Sequence, residues 1–237
     1  MDAVTLPLLI GFTVMSLGSL AIYAHGDKRN EFLHHTQFHS VVPFIAATAY
    51  LAMTLGIGRL EMGDGETLFL ARYFDWAITT PILLTGLILT ALHEHPRHST
   101  HILPAVILDG LMIVTGLLAA ISDNEAEKWI WFAWSCVAFL GVIYLLLGPI
   151  MKATRQLGGK MTDVYKANLV FLLAVWLIYP IEWFLGPQGI GAFGTPGDAW
   201  AILILDVTAK VVYGLVATAR FKKLSLADAE RHELPRD

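Results

Sequence analysis

Apolar runs of about twenty residues recur along this chain, and each can cross the roughly 30 Å hydrocarbon core of a bilayer. Seven are readable, at approximately 4–24, 40–58, 68–92, 102–121, 129–150, 166–186 and 199–219. Backbone in lipid must satisfy its own hydrogen bonds, so only helices and closed barrels can span it, and runs this long select helices. The expected fold is an all-α membrane protein, a seven-transmembrane-helix bundle. Composition agrees, since 15% of the residues are charged against about 25% in soluble domains.

The connections are short and carry Gly, Pro and Asp, as in Gly26-Asp27-Lys28-Arg29-Asn30, His95-Pro96-Arg97 and Gly194-Thr195-Pro196-Gly197. They leave residues 1–223 as a single domain, followed by a charged tail, 224–237, expected to be loosely ordered. Lys28, Arg29, Arg97, Lys152, Arg155, Lys160, Lys166, Arg220, Lys222, Lys223, Arg231 and Arg236 all fall on one side of a seven-span arrangement, against Arg59 and Lys128 on the other. The positive-inside rule then puts the N-terminus outside and the C-terminus in the cytoplasm, in a multi-pass protein of the cell (inner) membrane. The first run is not read as a cleavable signal, because Lys28 and Arg29 follow it instead of preceding it. A net charge of −4 gives no argument for nucleic acid. Bilayer lipid is an expected partner; a metal is not. The single cysteine, Cys136, lies in an apolar run and reads as a small core residue.

The last run, Trp200 to Ala219, contains Asp206 and Lys210, four residues apart and so on one helical face. Each charge costs about 2.5–3.5 kcal/mol to insert at mid-membrane. In the third run Arg72, Asp75 and Thr79 share a face, and an arginine one turn from Asp75 can hold that carboxylate ionised. Arg72, Asp75, Asp206 and Lys210 would make a net-neutral quartet, cheaper to bury than any member alone. Asp109 is a further interior carboxyl, while Glu182 and Asp198 lie nearer a helix end. Intramembrane charges usually face the bundle interior and mark proton or ion paths, the alternative being a structural ion pair between two helices. Pro81 and Pro180 fall inside runs and free a backbone carbonyl. Trp176, Tyr179 and Trp183 form an aromatic stripe at spacings of three and four.

Arg72-Tyr73-x-Asp75-Trp76-x-x-Thr79-Thr80-Pro81 resembles the third-helix signature of the microbial (type 1) rhodopsins, retinal proteins of the bacteriorhodopsin and proteorhodopsin type. Trp176-x-x-Tyr179-Pro180-x-x-Trp183 is similar to their sixth helix and Asp206-Val207-x-Ala209-Lys210 to their seventh, with further matches at Pro43, Tyr50-Leu51-x-Met53 and Asp109-Gly110-x-Met112-x-x-Thr115-Gly116. The resemblance implies all-trans-retinal held by Lys210 as a protonated Schiff base. It implies Asp75 as counterion and proton acceptor, Asp206 as second carboxylate, Arg72 as the switch toward the outer exit, and Thr79 as the hydroxyl that fixes Asp75. Trp76, Thr80, Leu83, Met112, Gly116, Trp176, Tyr179, Pro180 and Trp183 would form the pocket, with Tyr50 near Asp206. The chemistry is consistent, since a lysine in an apolar pocket is a competent amine for condensing with an aldehyde. A homo-oligomer is a further expectation.

The resemblance also locates a departure. Proton pumps of this kind carry a second carboxylate eleven residues after the acceptor, and here that position is Gly86. At about 1.5 Å per residue it lies roughly 16 Å inward of Asp75. His39, at the start of the second run, matches a position that touches the donor in the family, and the missing side chain at Gly86 would leave room for its imidazole, which titrates near neutral pH. The alternative for His39 is an interfacial residue. Of the family's two exit glutamates, one position is Gln188 and the other Asp198, so no early proton release is expected at neutral pH, with Glu182 as a possible substitute. Asp75 argues against chloride pumps, Thr79 and Gly86 against sodium pumps, and Ala209 before the lysine against sensors. The expected function is a light-driven outward proton pump, a photoactive transporter and not an enzyme; the alternative is a sensory rhodopsin acting through a partner.

Overall fold

A computed structural model of the protein describes residues 3–29, 33–63, 65–92, 100–157 and 159–233. Among them, seven helical rods form one bundle: α1 (Thr5–His25), α2 (Leu33–Thr54), α3 (Leu70–Ala91), α4 (Ile102–Ile121), α5 (Glu125–Gln156), α6 (Gly159–Leu185) and α7 (Thr195–Leu224). Each packs on the next in sequence, α3 also meets α6, and α7 returns to α1 and α2 to close the ring. The outside is as apolar as the inside, with Leu20, Phe74 and Tyr144 each more than 65% exposed. Lipid rewards apolar surface, so what distinguishes the interior is its polar groups.

Six of the rods are apolar and long enough to cross a membrane; α2 is the exception. It starts at Leu33 rather than near 40, because its first two turns carry His34, His35, Gln37 and His39, which break the apolar run without breaking the helix. The helix of α7 also continues to Glu233, so the tail expected to be loosely ordered is helical over most of its length. Arg97 and Arg236, two of the basic residues used to orient the chain, lie outside the described residues, as do Asn30, His95 and Pro96.

Two local features position the site. α6 is interrupted at Leu177, where the missing N–H of Pro180 leaves the Trp176 carbonyl without its helical donor. In α7, residues Val207–Val212 form a π-helical stretch around Lys210, a wider turn that often marks functional positions. Between α2 and α3 the chain folds a small hairpin that the apolar pattern did not announce, β1 (Arg59–Glu61) against β2 (Thr67–Phe69), with Leu60 opposite Leu68. Its Glu66 accepts hydrogen bonds from the backbone N–H of Thr195 at 2.6 Å and from that residue's hydroxyl at 2.5 Å, while the Thr67 N–H donates to the same hydroxyl at 3.0 Å. The hairpin thereby satisfies a donor at the start of α7 that the helix itself leaves unpaired.

Candidate functional site

Lys210 is 2% exposed, and its Nζ donates to Asp75 Oδ2 and lies 3.1 Å from Asp206 Oδ1. The two carboxylates are equally buried but differently furnished. Asp206 accepts from the Tyr179 hydroxyl at 2.7 Å, the Tyr50 hydroxyl at 3.1 Å and the Trp76 indole N–H at 3.3 Å. Both of its oxygens are occupied, by donors from α2, α3 and α6. Asp75 Oδ1 has no hydrogen-bond partner among the described residues. The Thr79 hydroxyl donates at 2.8 Å to the backbone carbonyl of Asp75 and also interacts with its carboxyl. It therefore stiffens the turn that carries Asp75 while staying beside the carboxyl it is expected to fix.

Tyr50 reaches Asp206 because α1 yields space. A Cβ at Gly11 would sit 2.2 Å from Tyr50 Cδ1, closer than any side chain permits, so the glycine is what lets the ring lie between α1 and α7.

Arg72 does not complete a quartet. Its guanidinium makes a two-pronged pair with Asp198, Nη1 to Oδ1 at 3.1 Å and Nη2 to Oδ2 at 2.9 Å, both residues buried. The long side chain extends away from Asp75 along the rings of Phe69 and Trp76, 5.1 and 5.9 Å from its Cζ. Two clusters result: Lys210 between Asp75 and Asp206, and Arg72 on Asp198. The bidentate fork is the stronger geometry available to an arginine, and it neutralises the carboxylate that would otherwise be buried unpaired. Glu182 is also buried, 7% exposed, with Oε1 unpartnered among the described residues.

A cavity of about 850 Å³, counting its open mouth, extends from Lys210. α3 contributes Tyr73, Trp76, Thr80 and Leu83; α4 contributes Met112, Ile113 and Gly116; and α6 contributes Trp176, Tyr179, Pro180 and Trp183. Every pocket residue expected from sequence lines it except Tyr50, which lies behind Asp206. Sequence reasoning missed the α5 wall of Phe132, Ser135, Cys136 and Phe139. Cys136 is only partly buried and faces this space, so it is not the core residue it reads as. Phe132 stacks on Trp183 with ring centroids 4.5 Å apart, and Trp183 donates to the Tyr73 hydroxyl at 3.1 Å. An apolar, aromatic chamber with one amine at its end suits a long hydrophobic aldehyde.

Asp109 borders the cavity through Thr80. The Thr80 hydroxyl lies 2.7 Å from Asp109 Oδ2 and 2.8 Å from the Trp76 carbonyl. The hydroxyl thereby ties Asp109 of α4 to the α3 backbone at Trp76.

His39 is 2% exposed, but it does not enter space vacated at Gly86. The atom near a Cβ at Gly86 is Cβ of Phe38, at 3.8 Å. The imidazole instead turns to α7, edge-on to Tyr213 at 5.4 Å and near-parallel to Phe221 at 6.4 Å.

The comparisons with known proteins agree with this geometry. The family model described as bacteriorhodopsin-like protein matches residues 2–224. Archaerhodopsin-2 of Halobacterium sp. (strain aus-2) is 36% identical over 220 residues, covering 90% of this chain and 83% of that protein. The crystal structure of thermophilic rhodopsin from Rubrobacter xylanophilus superposes with a TM-score of 0.87 at 34% identity, covering 94% of this chain and 97% of the other. A light-driven proton pump from Leptosphaeria maculans gives 0.83 at 29% identity, over 94% and 97%. With the match running through every rod of the bundle, the chain belongs to the bacteriorhodopsin-like family of multi-pass membrane proteins.

Proposed function

We propose that this protein is a light-driven outward proton pump with all-trans-retinal attached to Lys210. The observation that carries the reading is the inequality of the two carboxylates at one amine, since Asp206 has both oxygens engaged whereas Asp75 keeps one free. Retinal, when bound, absorbs visible light and by isomerising changes where the Lys210 nitrogen presents its proton. The residues of the α3–α7 cavity hold it, with Trp76, Trp176 and Trp183 as flat walls. Proton pumping by relatives such as the Leptosphaeria maculans protein supports the same reading.

Asp75 takes the proton from Lys210 Nζ through its unengaged oxygen. Asp206, held by Tyr50, Tyr179 and Trp76, stays charged, so the local net charge is the same before and after the transfer. With the N-terminus outside, the Arg72–Asp198 pair and Glu182 lie on the exterior side of Asp75, and residues 1–223 act as one pumping domain. Asp198 is engaged by Arg72, and external protons are expected to appear with uptake and not ahead of it. Inward of Lys210, Gly86 supplies no carboxylate, and His39, buried against Tyr213, acts as the relay.

The test is to express the chain with retinal, illuminate cells in unbuffered saline and record external pH. Acidification that a protonophore abolishes, together with visible colour that vanishes in Lys210→Ala, is expected. Colour without acidification would instead assign a sensor that signals through a partner.

A further inference from the structure

Three buried polar side chains around α7 have a hydrogen-bonding atom with no protein partner among the described residues: Nδ1 of His39, the hydroxyl of Tyr213 and Nδ2 of Asn168. They are 2%, 0% and 0% exposed. They lie along one stretch of α7 and the helices that face it. Tyr213 stands three residues after Lys210 on α7, and its ring meets the His39 imidazole edge-on at 5.4 Å and Phe171 of α6 at 5.7 Å. Asn168 lies one turn before Phe171 on α6, and its Oδ1 accepts a 2.5 Å hydrogen bond from Arg220, two turns after Tyr213 on α7. Arg220 is partly exposed. The stretch thus starts at a half-buried cation and ends one turn from the reactive lysine.

The surroundings are largely apolar. Val42, Leu83, Leu87 and Leu172 share the core cluster with Tyr213, and phenylalanine would fill the same volume. The hydroxyl is all that the tyrosine adds. Native interiors leave few buried polar atoms unmatched, and the usual resolution is ordered water bridging two or more of them.

We propose that Tyr213 and Asn168 line a water-occupied proton path from Arg220 to Lys210, with the Tyr213 hydroxyl the last side-chain group before Nζ. The proposal rests on the pumping reading and fills the place of the carboxylate absent at Gly86 with neutral groups. A proton passes from Tyr213 Oη through a water to Nζ of Lys210, breaking the phenolic O–H bond. In the same shift the phenolic oxygen takes a proton from a second water, forming a new O–H bond, and His39 exchanges protons with the waters of the path. His39 and the waters regain theirs from solvent at the Arg220 end, so no side chain ends with altered charge. Asn168, by holding Arg220, keeps α6 against α7 at the mouth of the path.

Two measurements test this. In the dark, a high-resolution crystal structure of the wild type should show water on Tyr213 Oη and on Asn168 Nδ2, and Tyr213→Phe should lose the former. In flash photolysis, Tyr213→Phe should slow late proton uptake about tenfold or more, leave the earlier transfer to Asp75 unchanged, and recover speed with azide, a small permeant weak acid. Asn168→Leu, which leaves Tyr213 intact, should slow the same phase. A dry Tyr213 hydroxyl in the wild type, or wild-type uptake in both variants, overturns the proposal. Failure of the pumping reading looks different: the wild type would not acidify the medium, while the water and the Tyr213 effect on Nζ would persist.

Discussion

The hydroxyl of Tyr179 donates to Asp206 Oδ1 at 2.7 Å, joining the α6 segment beyond its break to the charge cluster on α7. A helix interrupted by Pro180 would otherwise be free to swing at Leu177. Tyr179→Phe removes the shortest of three side-chain donors to a buried carboxylate, and a loss of about 1–3 kcal/mol in stability is expected. Thermal bleaching of the coloured protein measures it, with Tyr50→Phe as the companion variant on Asp206 Oδ2.

Asp75→Asn should keep colour and lose transport. Asp206 still accompanies Lys210 at 3.1 Å, so the chromophore cation retains a partner, but the oxygen that receives the proton is gone. Because half of the negative charge beside the nitrogen is removed, the absorption maximum should move to longer wavelength. Spectra before and after the substitution, with external pH under light, decide it; a variant that still acidifies the medium would remove Asp75 from its role.

The Arg72–Asp198 pair is suited to a double-mutant cycle. Arg72→Gln strands a carboxylate that is 0% exposed, and Asp198→Asn strands the guanidinium, each costing about 3–5 kcal/mol. The double variant should be more stable than the sum of the two predicts, since it leaves no unpaired charge. Additive losses would mean that the pair carries no coupling energy.

Gly11→Ala tests the packing behind the site. The added methyl would meet Tyr50 Cδ1 at 2.2 Å, so the ring must move and its bond to Asp206 must lengthen. A cost of about 1–3 kcal/mol is expected from overpacking alone, with a spectral shift in the direction seen in Tyr50→Phe. A destabilised protein with an unshifted spectrum would show that Tyr50 follows α2 without disturbing Asp206.

His39→Ala should slow proton uptake about tenfold. Unchanged decay kinetics would return His39 to a packing role against Tyr213 and Phe221.

Much of the site is legible in sequence because charge is rare in lipid. Lys210, Asp206 and Asp75 stand out against apolar runs, and their helical spacing assigns faces. The α5 wall is not legible, because Phe132 and Phe139 are apolar residues in an apolar run and lipid rewards the same side chains on the outer face. Periodicity distinguishes core from surface only where the solvent is water. The partner of Arg72 escapes for another reason: spacing places its Cα one turn from Asp75, but the flexible side chain reaches the opposite way, to a carboxylate more than a hundred residues later. The hairpin at Arg59–Phe69 escapes because three-residue strands between glycines leave no alternation to read.

The wide turn at Val207–Val212 sets the two halves of α7 at different rotational phases. An α-helix advances about 100° per residue, so the extra residue accommodated there changes which side of the later turns points inward. Asp198, Asp206 and Lys210 before or within it, and Tyr213 and Phe221 after it, can then all face the bundle. Deleting one residue from this stretch would keep composition, length and hydropathy almost unchanged, yet would rotate everything downstream by about a quarter turn. Rotational registry along the helix axis, and not any single contact, is what keeps both ends of the molecule addressed to the same lysine.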